Sequence, residues 1–374
     1  MKIVNQCAKT VIRLCYVACM AALLLAPYDV TSLDKKDASD EDFFEFATLE
    51  EVGLDEDIIG GLDEYITQNH PGISGVIAIK DNYCVYEKYY NGSNIGSLYE
   101  INSVTKTVIG AMVGCAIDRG LIEDENVPFY SITGAECDGP YTKITIKDML
   151  TMSSGIDWDS VRTSIPLRFD VIKYGTDNYF NMMKDFPISN DAGTQFMYDS
   201  YESRSTMAAL TKLIGKEDYE IVSEYLFDDM GIYNFIWPIN DSKLMPGGQD
   251  LFLSLRQVAK FGNLYVNEGC YKNHQILSNE WIEKSLTIQT YAESEDCDPA
   301  DTIGYGYYWW CLDTEEYNIR FAFGAGGEYI FVLPEENLTV VISSIDKLKG
   351  ENYRDVFLNF FIPALNNTSS KEGF

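Results

Sequence analysis

Two residues of this 374-residue chain stand at a spacing that supports covalent chemistry: Ser103 and Lys106, three apart. In a helix that spacing puts both on one face, one turn from each other. A serine hydroxyl is a weak nucleophile until a base takes its proton, and a lysine is such a base only when neutral. Burial disfavours the charged amine and lowers its pKa. The sequence supplies the burial. From Val108 to Ile117 no residue is charged, and apolar residues cover most of the circumference, which marks a core helix. Asn102 or Ser103 can cap its start, and Gly120 falls where a helix stop is expected. The blander alternative is a capping serine followed by a lysine that reaches out to solvent.

Other hydrolytic chemistries fit less well. The chain has two histidines, His70 and His274, both in turn-like settings, and no G-x-S-x-G elbow. A Ser-His-Asp hydrolase would need one of those histidines. No H-E-x-x-H and no paired C-x-x-C occurs, so a zinc hydrolase is disfavoured. Nine cysteines are spaced irregularly and match no metal template. Cys115 reads as a small buried hydrophobe, while Cys137 and Cys297 lie in polar stretches and could pair in an exported protein. Formal charge is 28 − 58 = −30, which repels nucleic acid and anionic membrane surfaces. At 46% apolar residues the chain can bury a large core.

The elements that must position Ser103 follow from periodicity. Gly53 to Gln68 reads as an amphipathic helix with Leu54, Ile58, Ile59, Leu62 and Ile66 on one face. Residues 74–80 and 83–90 read as a hairpin around Asp81-Asn82. The middle, 121–260, reads as helix and loop. It includes a helix from about Ser203 to Ile214 closed by Gly215, and a helix from Leu255 to Asn267. Strands return at 303–312, 319–323, 329–334 and 338–344, and Tyr353–Leu365 closes as an apolar helix. Strands, a helical middle, then strands again predict an α+β domain. Its antiparallel sheet is built from both chain ends, and the Ser103 helix lies at the seam.

Further motifs fall in a telling order. After Ser103-Val104-Thr105-Lys106 come Leu150-Thr151-Met152-Ser153-Ser154-Gly155-Ile156-Asp157-Trp158 and Gly193-Thr194-Gln195-Phe196-Met197-Tyr198-Asp199-Ser200. Gly304-Tyr305-Gly306-Tyr307-Tyr308-Trp309-Trp310 and Gly324-Ala325-Gly326-Gly327-Glu328 follow. With these the chain resembles the serine β-lactamase and penicillin-binding protein superfamily from about residue 70 to residue 345. It looks most like the branch with class C β-lactamases, D-alanyl-D-alanine carboxypeptidases, short-chain esterases and 6-aminohexanoate-dimer hydrolases. The flanks of Asp157-Trp158 and Gly326-Gly327 lean towards the last group. The resemblance implies Ser103 as acyl-accepting nucleophile, Lys106 as its activator and Tyr198 as the tyrosine that shuttles a proton to the leaving group. Ser200 stands where that tyrosine's motif has asparagine, so a shorter hydroxyl replaces a substrate-holding amide. Ala325-Gly326-Gly327 aligns with K-T-G or H-x-G, but no lysine or histidine is present to meet a substrate carboxylate. Backbone N–H groups of Ser103 and of the Gly327-Glu328 region are implied as the oxyanion hole, at roughly 3–4 kcal/mol per donor.

These readings predict a serine hydrolase of small amides or esters, with no cofactor, no metal and no nucleic-acid partner. The alternatives are a β-lactamase or D-alanyl-D-alanine carboxypeptidase, which would be expected to carry the missing cation, and a non-catalytic binding protein on the same fold. Ser153-Ser154-Gly155 reads as a structural turn, and Trp309-Trp310 as sheet packing. Lys2, Lys9 and Arg13 precede the apolar run Leu14–Ala26, the pattern of a secretory signal or membrane anchor. The expected organisation is therefore 1–28 signal or anchor, 29–48 acidic linker and 49–374 hydrolase domain, placed outside the cytoplasm.

Overall fold

Apolar runs from the two ends of the chain meet in one sheet. The computed structural model describes residues 43–164, 179–238, 248–292, 303–345 and 352–369, all within one compact unit. The segment 1–28 and Cys297 lie outside the described residues. Strand β1 (Ile73–Lys80) is buried along its whole length and turns back into β2 (Tyr83–Tyr89). β3 (Leu98–Glu100) leads through a 3₁₀ turn, Asn102–Val104, into helix α3 (Thr105–Asp118). Before them stand α1 (Glu56–Gly60) and α2 (Leu62–Asn69). After α3 come α4 (Ile146–Leu150), α5 (Ser200–Ile214), β4 (Phe252–Ser254), α6 (Leu255–Val266) and α7 (Asn279–Leu286). The chain then returns as β5 (Thr290–Ala292), β6 (Ile303–Tyr305), β7 (Trp310–Asp313), β8 (Asn318–Phe323), β9 (Tyr329–Leu333) and β10 (Leu338–Ser344).

The eight-stranded order is β2-β1-β10-β9-β8-β7-β6-β5. β1 pairs antiparallel with β10, Val76 opposite Ile342 and Ala78 opposite Val340. The α+β class and the joining of residues 74–90 to 303–344 are thus as the sequence predicts. A strand whose residues are all buried must be covered on both faces, and it is. On one face lies α6, so close that a Cβ on Gly262 would come within 2.7 Å of the Ile330 side chain. On the other lie the C-terminal residues, where Phe357 stacks on Phe331 at 4.2 Å. Tyr65 of α2 packs on Phe360 at 5.0 Å beside them.

Three local expectations change. The single helix from Gly53 to Gln68 is two, because Gly60-Gly61 interrupts it and Asp55 caps the first piece by accepting from Asp57 and Ile58 N–H. The strand 303–312 is broken at Gly306–Trp309. There Tyr307 N–H bonds Ser285 O (3.0 Å), Tyr308 N–H bonds Leu150 O (3.1 Å), and Tyr308 takes φ 63°. Those bonds to α7 and α4 outweigh continued pairing. Finally, residues 43–48 are not linker. Cys84 N–H bonds Glu45 O (2.7 Å) and Ala47 N–H bonds Cys84 O, so this stretch lies along β2 and belongs to the domain.

Helix α3 is buried from Thr105 to Ala116. Its glycines let neighbours approach. A Cβ on Gly110 would meet Tyr307 O at 3.3 Å, and one on Gly114 would overlap the Trp281 indole. Gly120, φ 69°, follows the last turn as expected.

Candidate active site

Ser103 sits in the 3₁₀ turn before α3, not inside the helix. Asn102 ahead of it takes φ 45°, Ile101 N–H bonds Leu251 O (2.9 Å), and Val104 N–H bonds Ile101 O (3.0 Å). The turn leaves Ser103 half-buried while Lys106, on the first turn of α3, is 1% exposed. Lys106 Nζ lies 3.0 Å from Ser103 Oγ, 3.1 Å from Ser200 Oγ and 3.1 Å from Gly248 O. The structure therefore brings Ser103, Lys106 and Ser200 together directly. A buried amine with three oxygens around it has a partner for every N–H it can carry. The solvent-reaching lysine is excluded.

Ser200 is the first residue of α5, whose Asp199 cap accepts from Tyr201 N–H at 2.8 Å. That fixes the hydroxyl against Lys106, whereas the sequence placed Ser200 among the substrate-holding residues. Tyr198 sits differently from expectation. Its ring face lies 5.0 Å from Lys106 Nζ, and among the described residues its hydroxyl bonds neither Ser103 nor Lys106. The ring is held by stacking on Trp310 (5.6 Å) and by the edge contact with Tyr305 (6.4 Å), and it is 37% exposed. Trp310 continues to Phe323 at 5.6 Å, and Phe323 directly precedes Gly324. An aromatic wall thus runs from Tyr198 to the glycine turn.

The glycine turn packs against the Ser103 loop. A Cβ on Gly324 would meet Asn102 Cβ and Ile101 O, both at 2.8 Å. Ala325 is exposed at the tip. Glu328, 2% exposed, folds back under the turn, where its Oε2 accepts from Gly326 N–H (3.1 Å) and Asn102 Nδ2 (3.0 Å). The Gly326 amide is thus taken by a carboxylate, which leaves the Gly327-Glu328 region as the part of the turn expected to donate. Gly327, φ 89°, sits so that a Cβ would run into the Tyr353 ring.

Two features have no counterpart in the sequence reading. Gly248 O, the third Lys106 partner, arrives from a segment no local pattern ties to α3. Glu202, 1% exposed, stands behind the site and accepts from Ser154 Oγ (2.5 Å) and Trp158 Nε1 (2.9 Å). Burial pushes its carboxyl up to about 8, against those two hydrogen bonds. An acidic residue four beyond Tyr198, among the uncharged, mostly small residues that α5 buries, is the signal that could have found it. The Ser153-Ser154-Gly155 turn serves this contact. Near Gly248, burial and the neighbouring Glu100 raise Asp250 to about 6.

A family model described as Beta-lactamase matches residues 55–355. The chain belongs to the beta-lactamase family. It is 20% identical to 6-aminohexanoate-dimer hydrolase of Paenarthrobacter ureafaciens over 285 residues, 71% of this chain and 70% of that one. Among solved structures it is similar to a provisionally named 6-aminohexanoate-dimer hydrolase from Bacillus anthracis. There the TM-score is 0.68 at 20% identity, over 87% of this chain and 88% of the other. A family VIII carboxylesterase gives 0.65 at 13% identity, over 83% and 96%.

Proposed function

We propose that this chain is a serine hydrolase that forms an acyl-enzyme on Ser103 and cleaves small amide or ester bonds, in the manner of 6-aminohexanoate-dimer hydrolases. The observation that carries the reading is the 3.0 Å contact between Ser103 Oγ and the buried Lys106 Nζ. A hydroxyl within hydrogen-bond reach of an amine shielded from water can lose its proton as it attacks a carbonyl. The Tyr198 ring, 5.0 Å from Nζ, favours the ammonium that results. The N–H groups of Ser103 and Glu328 are then the oxyanion donors, since that of Gly326 is occupied.

Substrate class follows from the walls. The turn Ala325-Gly326-Gly327 offers no cation for a substrate carboxylate, and the Glu328 carboxylate lies beneath it. Tyr198, Trp310 and Phe323 offer apolar surface along the same side. An extended acyl chain that carries no carboxylate suits this better than a β-lactam acid. Export or anchoring through residues 1–28 belongs to the same proposal and rests on the basic flank and apolar run.

The test is a panel of p-nitrophenyl esters, linear aminohexanoyl amides and nitrocefin on the purified protein. Turnover of esters and amides, with nitrocefin slower by roughly 100-fold or more, is expected from loss of a charge-assisted contact worth about 3 kcal/mol. Nitrocefin as the preferred substrate would reject the substrate assignment.

A further inference from the structure

Lys106 Nζ has three oxygen neighbours at 3.0, 3.1 and 3.1 Å: Ser103 Oγ, Ser200 Oγ and Gly248 O. That number suits both protonation states. As a neutral amine, Nζ receives the Ser103 O–H in its lone pair and donates its two N–H to Ser200 and Gly248. As an ammonium it donates three N–H to the same three oxygens. The proton of Ser103 can therefore arrive on Lys106 without movement of any side chain. It must then leave, because the departing amine or alkoxide needs it.

Of the three neighbours one can pass it on. The Gly248 carbonyl accepts but has no proton to hand over. Ser103 Oγ is by then bonded to the acyl carbon. Ser200 Oγ is a hydroxyl, able to accept one proton and release another. It is half-buried, fixed at the start of α5, and among the described residues its own O–H meets no acceptor. Tyr198 presents its ring face to Lys106, and its hydroxyl makes no bond to Nζ among the described residues.

We propose that Ser200 is the proton relay of this enzyme, carrying the proton from Lys106 to the leaving group. The proposal rests on Ser103 being the nucleophile. In the step, the bond from carbonyl carbon to leaving nitrogen or oxygen breaks. The leaving atom takes the Ser200 proton as Ser200 Oγ takes one from Lys106 Nζ. Lys106 returns to the neutral amine, and the net transfer is one proton from Ser103 to the leaving group. In deacylation water enters and the sequence runs in reverse. An asparagine amide at position 200 would hold Lys106 but could not carry a proton onward, which gives the hydroxyl at this position a chemical consequence.

The test compares leaving groups in Ser200→Ala, Ser200→Thr and Tyr198→Phe. A p-nitrophenyl ester releases a phenolate that needs no proton, whereas an alkyl amide of the same acyl group cannot leave without one. In kcat/KM, which reports acylation alone, Ser200→Ala should lose roughly 100-fold or more on the amide and under about 10-fold on the ester. Fluorophosphonate labelling of Ser103, which expels fluoride, should slow by no more than the ester reaction does, and Ser200→Thr should recover most amide activity. Equal losses in kcat/KM on both substrates would overturn the relay. So would a leaving-group-selective loss in Tyr198→Phe with none in Ser200→Ala. Failure of the wild type to label at Ser103 is a separate result. It would remove the nucleophile assignment and the relay together.

Discussion

At the scale of single residues the site is a buried amine surrounded by oxygens, and its neighbours decide which protons are held where. Ser103 and Lys106 were legible because their chemistry needs only their own spacing and a core helix. Gly248 was not legible, since a backbone carbonyl leaves no mark in a sequence. Glu202 gives a residue-scale prediction. Burial holds its carboxyl at about 8 in the fold, well above the ordinary 4.5. A raised carboxyl means the folded state keeps a proton that the unfolded chain releases. The stability it contributes is complete below about pH 4.5 and is lost as pH rises towards 8. Glutamine is an isostere of the protonated form. Glu202→Gln should therefore lie below wild type near pH 4.5, by about 1–2 kcal/mol for an amide proton without a partner, and gain on it steadily as pH rises towards 8. Urea melts at the two pH values measure this, and identical pH dependence in both proteins would contradict it.

At the scale of elements, two short pieces hold the catalytic geometry. The 3₁₀ turn Asn102–Val104 lifts Ser103 off α3, and the turn 324–327 closes over it with Glu328 joining the two. The sequence marked the glycine turn and the Glu328 backbone but not the carboxylate beneath it, because nothing local shows that the side chain folds back under the turn. Gly327 tests the turn. Its φ of 89° and the Tyr353 ring leave no room for a methyl, so Gly327→Ala should displace the donor region near Glu328. A loss of activity of roughly 10-fold or more, the scale of a misplaced oxyanion donor, is expected. Gly92→Ala is the comparison. Its φ is 77° but nothing lies within 4 Å of the added Cβ, so it should cost stability alone, about 1–2 kcal/mol. Steady-state rates and thermal melts separate the two. Full activity in Gly327→Ala would show that the turn is not part of the machinery.

At the scale of the whole molecule, the sheet joins strands more than 200 residues apart, β1 to β10. That pairing could be inferred because strand-helix-strand order and the absence of charge in 74–79 and 338–344 leave few other ways to bury both runs. The breaks were harder. The Gly306–Trp309 interruption is fixed by hydrogen bonds to Ser285 and Leu150, contacts that exist only after folding. The stretch 43–48 reads as linker with the acidic run before it, yet it holds Phe43, Phe44 and Phe46, its backbone pairs with Cys84, and Phe43 and Phe44 pack against the core. The aromatic wall was visible as composition, 13% of the chain, but its run from Tyr198 through Trp310 to Phe323 required the fold.

The central claim is that Ser103 is acylated and that Lys106 activates it. A fluorophosphonate, followed by intact-mass and peptide mapping, tests this on the full chain. One adduct per protein should form, on the peptide carrying Ser103. Ser103→Ala and Lys106→Ala should each abolish it, and the double variant should be no worse, because residues that act as one unit do not lose activity additively. An equal adduct on Ser103→Ala, at any other serine, would contradict the assignment.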